Sequence, residues 1–407
     1  MMLMRSRDNV ICERAVCHTN GISCAKHITV APFFRTRRLG KNRGNYSSSA
    51  TIAYNLGMNQ LTLVLPFALP NAELAADLLK VLQAPALAAL LSRTSVCNLE
   101  TFDNANRLLP HEAWLAHALT LSPAPNGEAA QSAFAAQAMR GYGLAPEPGA
   151  RYFLLHPAHL AIARSHISLE DLRQLKLSED DGRALFDIAA PYFDEIGQPL
   201  SYGDAGTWFM RADGWSDLQC ASPDAATTQD LSVWMPEGEH ARAARCLQNE
   251  VQMLWHEHPV NAAREERGLK AINSFWIWGA SLANAEAARC AASLHTSDAA
   301  GWLAALAEPA QRDASPNSVL ASGQDAIVVL GGLTEAAQAQ EWGMWLQQLQ
   351  ALEAHWFAPL LAAVKDGRLG QLRLVLSHRD AWLDCTTSKH AQRKFWRAIT
   401  LNKLKAS

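Results

Sequence analysis

Long uninterrupted apolar runs are missing from this 407-residue sequence. The longest, around residues 61–69, is broken by Pro66 and falls well short of the roughly 18 residues a spanning helix needs, so neither a membrane span nor a membrane partner is expected. No CxxC pair exists: Cys12, Cys17 and Cys24 sit near the start, and Cys97, Cys220, Cys246, Cys290 and Cys385 are far apart. Without zinc spacing or a dense framework, they read as packing thiols in a reducing cytosol, so a cytoplasmic location is expected. Clustered positive charge is also scarce in the body. Residues 1–57 hold nine of the 36 Lys+Arg with only Asp8 and Glu13 among the acids, which leaves 27 basic against 37 acidic residues elsewhere. Displacing counterions from a polyanion needs concentrated positive charge, so a nucleic acid is not the expected partner. Absence of tandem repeats and low-complexity tracts disfavours a solenoid or propeller.

With 49% apolar and 18% charged residues, the chain can bury the core of one large two-lobed domain or of two domains. Residues 1–57 are Arg- and Ser-rich without amphipathic periodicity, and read as a mis-assigned start or, alternatively, a transit peptide, with no fixed structure before Met58. A buried strand is predicted over 61–65, followed by apolar residues at helical spacing over 72–91. Further on, 326–330 reads as a second strand, Gly331-Gly332 as a turn and Thr334 as an N-cap. The helix it opens carries an apolar stripe from Trp342 through Leu360 and ends at Gly367 and Gly370, before a third strand over 372–376. This is a βαβ pattern of parallel strands, whose sites lie at the carboxyl ends. The residues at those ends are 66–70, 279–281, 331–338 and 377–380.

The middle differs. Residues 152–155 and 207–210 read as strands, 168–175 and 178–193 as capped helices, and 239–256 as a helix leading back to the core. The expected fold class is therefore α/β, a mostly parallel sheet flanked by helices, with a smaller inserted α+β unit. Its expected boundaries, near Asn126-Gly127 and Pro236-Glu237-Gly238, divide the chain into a core over 58–125 and 237–407 and an insertion over 126–236.

The most distinctive segment is HPVNAAREERGLKAINSFWIWG over residues 258–279, which sets Trp276 and Trp278 on one side of a short strand stopping at Gly279. It resembles the HPVN, basic spacer, N-x-x-W-L-W-G segment of the archaeal-type cofactor-independent phosphoglycerate mutases of the alkaline phosphatase superfamily. The run from Thr207 to Asp217 resembles a strand of that family's inserted domain, and Ala84-Pro85-Ala86-Leu87 its TPNLD helix start. The resemblance implies an alkaline-phosphatase-like sheet and, in an active member, two divalent metals activating a serine nucleophile. The matching positions here are emptied. The Asp-Gly-x-x-Asp pattern after strand one is replaced by Pro66-Phe67-Ala68-Leu69-Pro70; Gly127 stands for the serine; Thr334-Glu335-Ala336-Ala337-Gln338 stands for D-E-A-G-H; Ser377-His378 keeps only the histidine; and Ala280 replaces a usual polar residue. A non-catalytic protein is expected, with no cofactor. The alternative is an active phosphomutase or phosphatase holding manganese or zinc on relocated ligands such as Glu335, His378, Asp380 and His390. The chain also resembles the RpfE-type regulatory proteins of proteobacteria, which implies regulation without a mechanism.

Candidate ligand-binding residues are Asn261, Arg264, Asn273, Trp276, Trp278, Gly279, His378 and Arg379. Asn261 and Arg264 could hold an anion, because a guanidinium donates in a fork to carboxylate or phosphate, or could simply be solvated at a helix start. The tryptophans could line a pocket, although packing on a central strand is favoured. His378 and Arg379 follow the last strand, where a site would lie, yet polar loops are the default there. His256 and His258 are two apart and would point about 200° away from each other on a helix, unlike an i, i+4 metal pair. The expected partner is a small phosphorylated or carboxylated ligand or a protein. The tail from Lys389 is basic with Phe395 and Trp396 between the charges. It reads as a helix with one apolar contact and a solvated basic face, contact with an anionic surface being the other reading.

Overall fold

The computed structural model describes residues 58–103, 106–121, 133–162, 167–284, 292–299 and 301–405; the 1–57 leader, the Asn126-Gly127 boundary and the Gly127 position lie outside the described residues. Its strands are β1 (Met58–Leu65), β2 (Val96–Thr101), β3 (Arg151–Ala158), β4 (Leu160–Ile162), β5 (Ile167–Leu169), β6 (Leu200–Asp204), β7 (Thr207–Arg211), β8 (Ser274–Leu282), β9 (Ser293–Ser297), β10 (Ala326–Leu330), β11 (Leu369–Ser377) and β12 (Ala381–Ser388). Six form the main sheet in the order β2-β12-β11-β1-β10-β9, with β11, β1, β10 and β9 parallel and β12 and β2 antiparallel. A second, antiparallel sheet runs β6-β7-β3-β8. The expected α/β class with a separate smaller sheet is present.

Why β1 occupies the middle follows from its sequence. Leu61, Leu63 and Leu65 enter one apolar cluster and Val64 the other, so both faces are covered and a continuous apolar run results. The expected crossover from β10 to β11 is longer than one strand spacing, because β1 lies between them and pairs with both. The intervening helical stretch is not one helix but Thr334–Gln338, Trp342–Leu352 and Ala358–Asp366, the last two joined by a π-helical turn at Glu353–Phe357. Pro359 has no N–H, so the helical bond to the carbonyl of His355 is missing where that turn forms. Gly367 ends the helix with φ of 87°, as expected, whereas Gly370 lies inside β11 against the Asn59 backbone.

Other expectations need correction. The stretch over 72–91 is two helices, Ala72–Val81 and Pro85–Ser92, because Pro85 restarts the chain at a first helical position. Residues 168–175 are the end of β5 and a 3-10 turn at Leu172–Leu175, since the Asp171 side chain accepts from the Arg173 amide and turns the chain locally. The tryptophan strand β8 is no central parallel strand. It pairs antiparallel with β3 at the edge of the second sheet and continues past Gly279, so that sheet draws on residues beyond 236. Cys97 and Cys385 face each other in the β12–β2 register and form a disulfide, so this pair is not two packing thiols.

The two sheets meet through one cluster in which Val64, Val329 and Val375 of the main sheet join Leu154, Phe209, Trp276 and Trp278 of the second. The opposite face of the second sheet packs Phe153, Trp208, Phe275 and Ile277 against Leu185 and Phe193 of the Glu179–Glu195 helix and Val251 and Trp255 of the Ala241–His256 helix.

One buried carboxylate ties distant helices together. Glu353, in the π turn, accepts from the amides of Ala86 (2.5 Å) and Leu87 (3.0 Å), capping the Pro85–Ser92 helix, whose own N-cap residue is Ala84. Glu353→Ala leaves those amides without their acceptor and is expected to lower unfolding free energy by about 2 kcal/mol in a urea titration. A loss under about 0.5 kcal/mol would contradict the cap.

Candidate functional site

A cavity of about 590 Å³ lies at the carboxyl ends of three parallel strands. Pro66 after β1, Asp298 and Ala299 after β9, and Gly331 and Gly332 after β10 form one side. The β6–β7 turn with Asp204 and Gly206, Arg173, and Asp224 of the short Pro223–Ala226 helix form another. His111 and Glu112, at the start of the Pro110–Ala118 helix, complete it. Gly331 is required by close approach, because a Cβ there would stand 2.6 Å from the Asp298 carbonyl oxygen.

At the centre is a network of charges. Arg173 donates through Nε and Nη2 to Asp171 Oδ2 (3.2 and 3.1 Å) and through Nη1 and Nη2 to Asp224 Oδ2 and Oδ1 (3.1 and 2.7 Å). Burial works against the Arg173 charge, but Asp224 and Asp171 outweigh it and hold its proton more tightly than usual. Burial likewise opposes the Asp224 charge, and Arg173 overcomes it to keep that carboxyl below its ordinary range. Arg379, in the turn between β11 and β12, donates to the carbonyls of Asp224 and Ala225, and Gln338 Nε2 donates to the former at 2.9 Å.

Glu112 is 1% exposed. Its Oε2 accepts from the Leu109 amide at 2.8 Å, while Oε1 makes no well-formed hydrogen bond. Burial first, then the charge of Asp224, push its carboxyl up to about 8, against the pull of Ser222, the Leu109 amide and Arg379. Near pH 7 it is therefore an acid, its proton assigned to Oε1 because Oε2 is already an acceptor. His111 is held down to about 4, chiefly by burial and further by Arg173, with Asp224 opposing. Its Nδ1 lies 3.1 Å from Ser377 Oγ, which also accepts from the Phe67 amide. His156 is neutral too: Nδ1 donates to the Gly206 carbonyl and Nε2 accepts from Trp278 Nε1, at 2.7 and 2.9 Å, and burial lowers its pKa.

Residues proposed from sequence fall into two groups. Glu335 lines the cavity, accepting from Gln174 Nε2, as do Pro66, Gly331, Gly332 and Thr334. The eight candidates do not. Arg264 is fully buried and spends its fork on Asp181, the Leu175 carbonyl and the Lys270 carbonyl. Asn261 is used by the Trp255 and Ile272 backbone, and Asn273 by both backbone groups of Leu160. Trp276 donates to the Ala221 carbonyl at 2.8 Å, and both tryptophans are buried between the sheets. Gly279 has φ of 70°, and a Cβ there would come 2.7 Å from Leu154 Cδ1. His378 pairs with Asp380, and Arg379 is filled as described. His258 caps its own helix rather than pairing with His256. Sequence reasoning passed over His111, Glu112, Arg173, Asp204, Asp224 and Asp298. The available signals were weak: a Pro-His-Glu helix start, a Ser-Pro-Asp helix start and an acid just after a short strand.

The residues do not fit the two-metal centre that the sequence resemblance implies. Among the described residues no three His, Cys, Asp or Glu side chains converge on one point. The turn after β1 is closed by Phe67, at φ of 55°, whose carbonyl accepts from Trp345 Nε1 and whose ring meets His111 edge-on. No side-chain donor stands there. The relocated set also fails to assemble: His390 follows β12 and His378 precedes it, so the length of an eight-residue strand, about 25 Å, separates them.

No protein-family model and no curated protein matches the chain. Among solved structures it is similar to the cofactor-independent phosphoglycerate mutase from Thermoplasma acidophilum DSM 1728, with a TM-score of 0.40 and 13% identity, over 86% of this chain and 94% of that one. It is also similar to the PH0037 protein from Pyrococcus horikoshii, with a TM-score of 0.49 and 11% identity, over 86% and 92% of the two chains.

Two outcomes follow for the site. Arg264→Ala strands Asp181 beside Arg267 alone and is expected to cost about 3 kcal/mol of stability by urea denaturation; an unchanged midpoint would return Arg264 to the ligand candidates. For Glu112 the folded pKa exceeds its ordinary value of 4.5, so its contribution to stability is full below about pH 4.5 and is lost as pH rises through about 8. His111 has the opposite sign, its contribution being full above about pH 6.5 and lost as pH falls through about 4. Glu112→Gln is therefore expected to gain on wild type in denaturation midpoint as pH rises through about 5 to 8, leaving the acid limb in place. A pH-independent difference between the two proteins would refute the assignment.

Proposed function

We propose that this chain is a ligand-binding protein without phosphomutase chemistry, and that its cleft takes a small organic cation rather than a phosphate. The observation that carries this is the charge around the cavity. Glu179, Asp204, Asp298 and Glu335 supply carboxylates, while Arg173, the one lining cation among the described residues, has its fork filled by Asp171 and Asp224. The Asp298 carboxylate has no hydrogen-bond or ion-pair partner among the described residues, so it is available for an incoming cation. Trp302, Leu115 and Leu303 give the apolar wall for the organic part of such a ligand. A phosphate would meet this acidic lining with no free guanidinium to offset the repulsion.

The competing reading, which rests on the sequence resemblance, is an active mutase or phosphatase using manganese or zinc on relocated ligands. The mismatch of donor residues at the strand ends supports the non-catalytic reading over it. A regulatory role draws on the sequence resemblance to regulatory proteins, with ligand binding in the cleft as the event that would be sensed.

The test uses the full chain. Spermidine or choline is expected to raise the melting temperature in a saturable way, with the shift reduced in Asp298→Asn, while inorganic phosphate and 3-phosphoglycerate leave it unchanged. Conversion of 3-phosphoglycerate to 2-phosphoglycerate above the buffer rate with Mn²⁺ or Zn²⁺, or stabilisation by phosphate alone, would overturn the proposal.

A further inference from the structure

The tail differs from its expected form. Its helix is only Lys389–Gln392, and the two large aromatics that follow find no apolar contact to bury them: Phe395 is 81% and Trp396 70% exposed. Their rings meet edge-on with centroids 5.4 Å apart, and Ile399 nearby is also exposed. The segment is anchored on both sides of the two rings, chiefly through its basic side chains. Lys394 Nζ donates to the Thr94 carbonyl at 3.0 Å, Arg397 Nη1 to the Ser92 and Thr94 carbonyls, Lys403 Nζ to Thr94 Oγ1 at 2.9 Å, and Thr400 N to Ser92 Oγ at 2.9 Å. These bonds serve the carboxyl end of the Pro85–Ser92 helix, where cations are favoured. They account for the charges but give no reason for two aromatics held outward.

Charge distribution identifies what would cover them. Residues 389–407 hold six Lys+Arg and no Asp or Glu, whereas residues 58–388 hold 21 basic against 37 acidic residues. An anionic surface therefore attracts this end and repels the rest, which orients the protein with Phe395 and Trp396 leading. Aromatic rings set among lysines and arginines match a lipid interface, where the rings enter the headgroup boundary and the cations meet anionic headgroups. No helix among the described residues is long and apolar enough to cross a membrane, so the contact is peripheral.

We infer that Phe395 and Trp396, rimmed by Arg393, Lys394, Arg397 and Lys403, dock the protein on an anionic lipid surface. The cleft is not involved, so this inference stands or falls separately from the ligand proposed for it.

The experiment is co-sedimentation of the full chain with vesicles of phosphatidylcholine alone and with phosphatidylglycerol added. Pelleting is expected only with the anionic vesicles, falling as salt is raised, and the double variant Phe395→Ser/Trp396→Ser is expected to lower the partition coefficient by roughly tenfold or more. Because both side chains lie in solvent, that variant keeps the wild-type melting temperature, which excludes unfolding as the cause. Arg393→Gln, at a charge with no ion pair among the described residues, gives a smaller loss that vanishes in high salt. Equal pelleting with neutral vesicles, no pelleting with either, or pelleting unaffected by the aromatic variant would overturn the inference. So would concentration-dependent self-association without lipid, or retention by a short DNA duplex, that the same variant abolishes.

Discussion

The ion network around Asp224 is the constraint on which the rest depends. Its carboxylate is bound by Arg173 of the second lobe, and its carbonyl accepts from Arg379 and Gln338 of the main-sheet lobe. The Pro223–Ala226 helix is thus clamped from both sides, directly over the ends of the parallel strands. Removing one partner of such a network leaves a desolvated charge and costs more than an intact pair contributes, so these residues hold one another in place. The same charges set the chemistry beside them. Asp224 adds to the burial that keeps Glu112 protonated, and Arg173 adds to the burial that keeps His111 neutral. Two titratable groups facing one cavity are thereby made uncharged near neutrality.

Much of the fold was legible because it rests on local pattern. The apolar runs of β1, β10 and β11 and the glycine ending the Ala358–Asp366 helix reported a buried parallel sheet correctly. Partner choice was not legible. A short run such as Phe275-Trp276-Ile277-Trp278 is buried on both faces in either sheet, and only its register with β3 assigns it to the antiparallel one. The two-helix break at Pro85 and the π turn before Pro359 follow from missing amide hydrogens, but their consequence, a glutamate at 353 capping a helix at 85, joins positions that no local pattern connects.

The site was less legible than the fold for a related reason. Arg264 and Arg379 look like anion receptors in sequence, because a guanidinium advertises a fork; whether backbone carbonyls and a carboxylate already fill it depends on tertiary contacts. Conversely Glu112 resembles an ordinary first-turn helical acid, and nothing nearby in sequence announces that Asp224 stands against it. Pro66 and Phe67 occupy a hydrogen-bonded, aromatic-packed turn where the resemblance calls for carboxylates, and the acids that do line the cleft are dispersed around it or paired.

The central claim is that this cleft lacks a catalytic metal centre while presenting carboxylates to a cationic ligand. Isothermal titration of Mn²⁺ into the full chain, in parallel with an Asp298→Asn variant, tests it most directly. The account predicts no saturable, stoichiometric manganese site that depends on Asp298. Saturable uptake of manganese in wild type that is lost in the variant would contradict it.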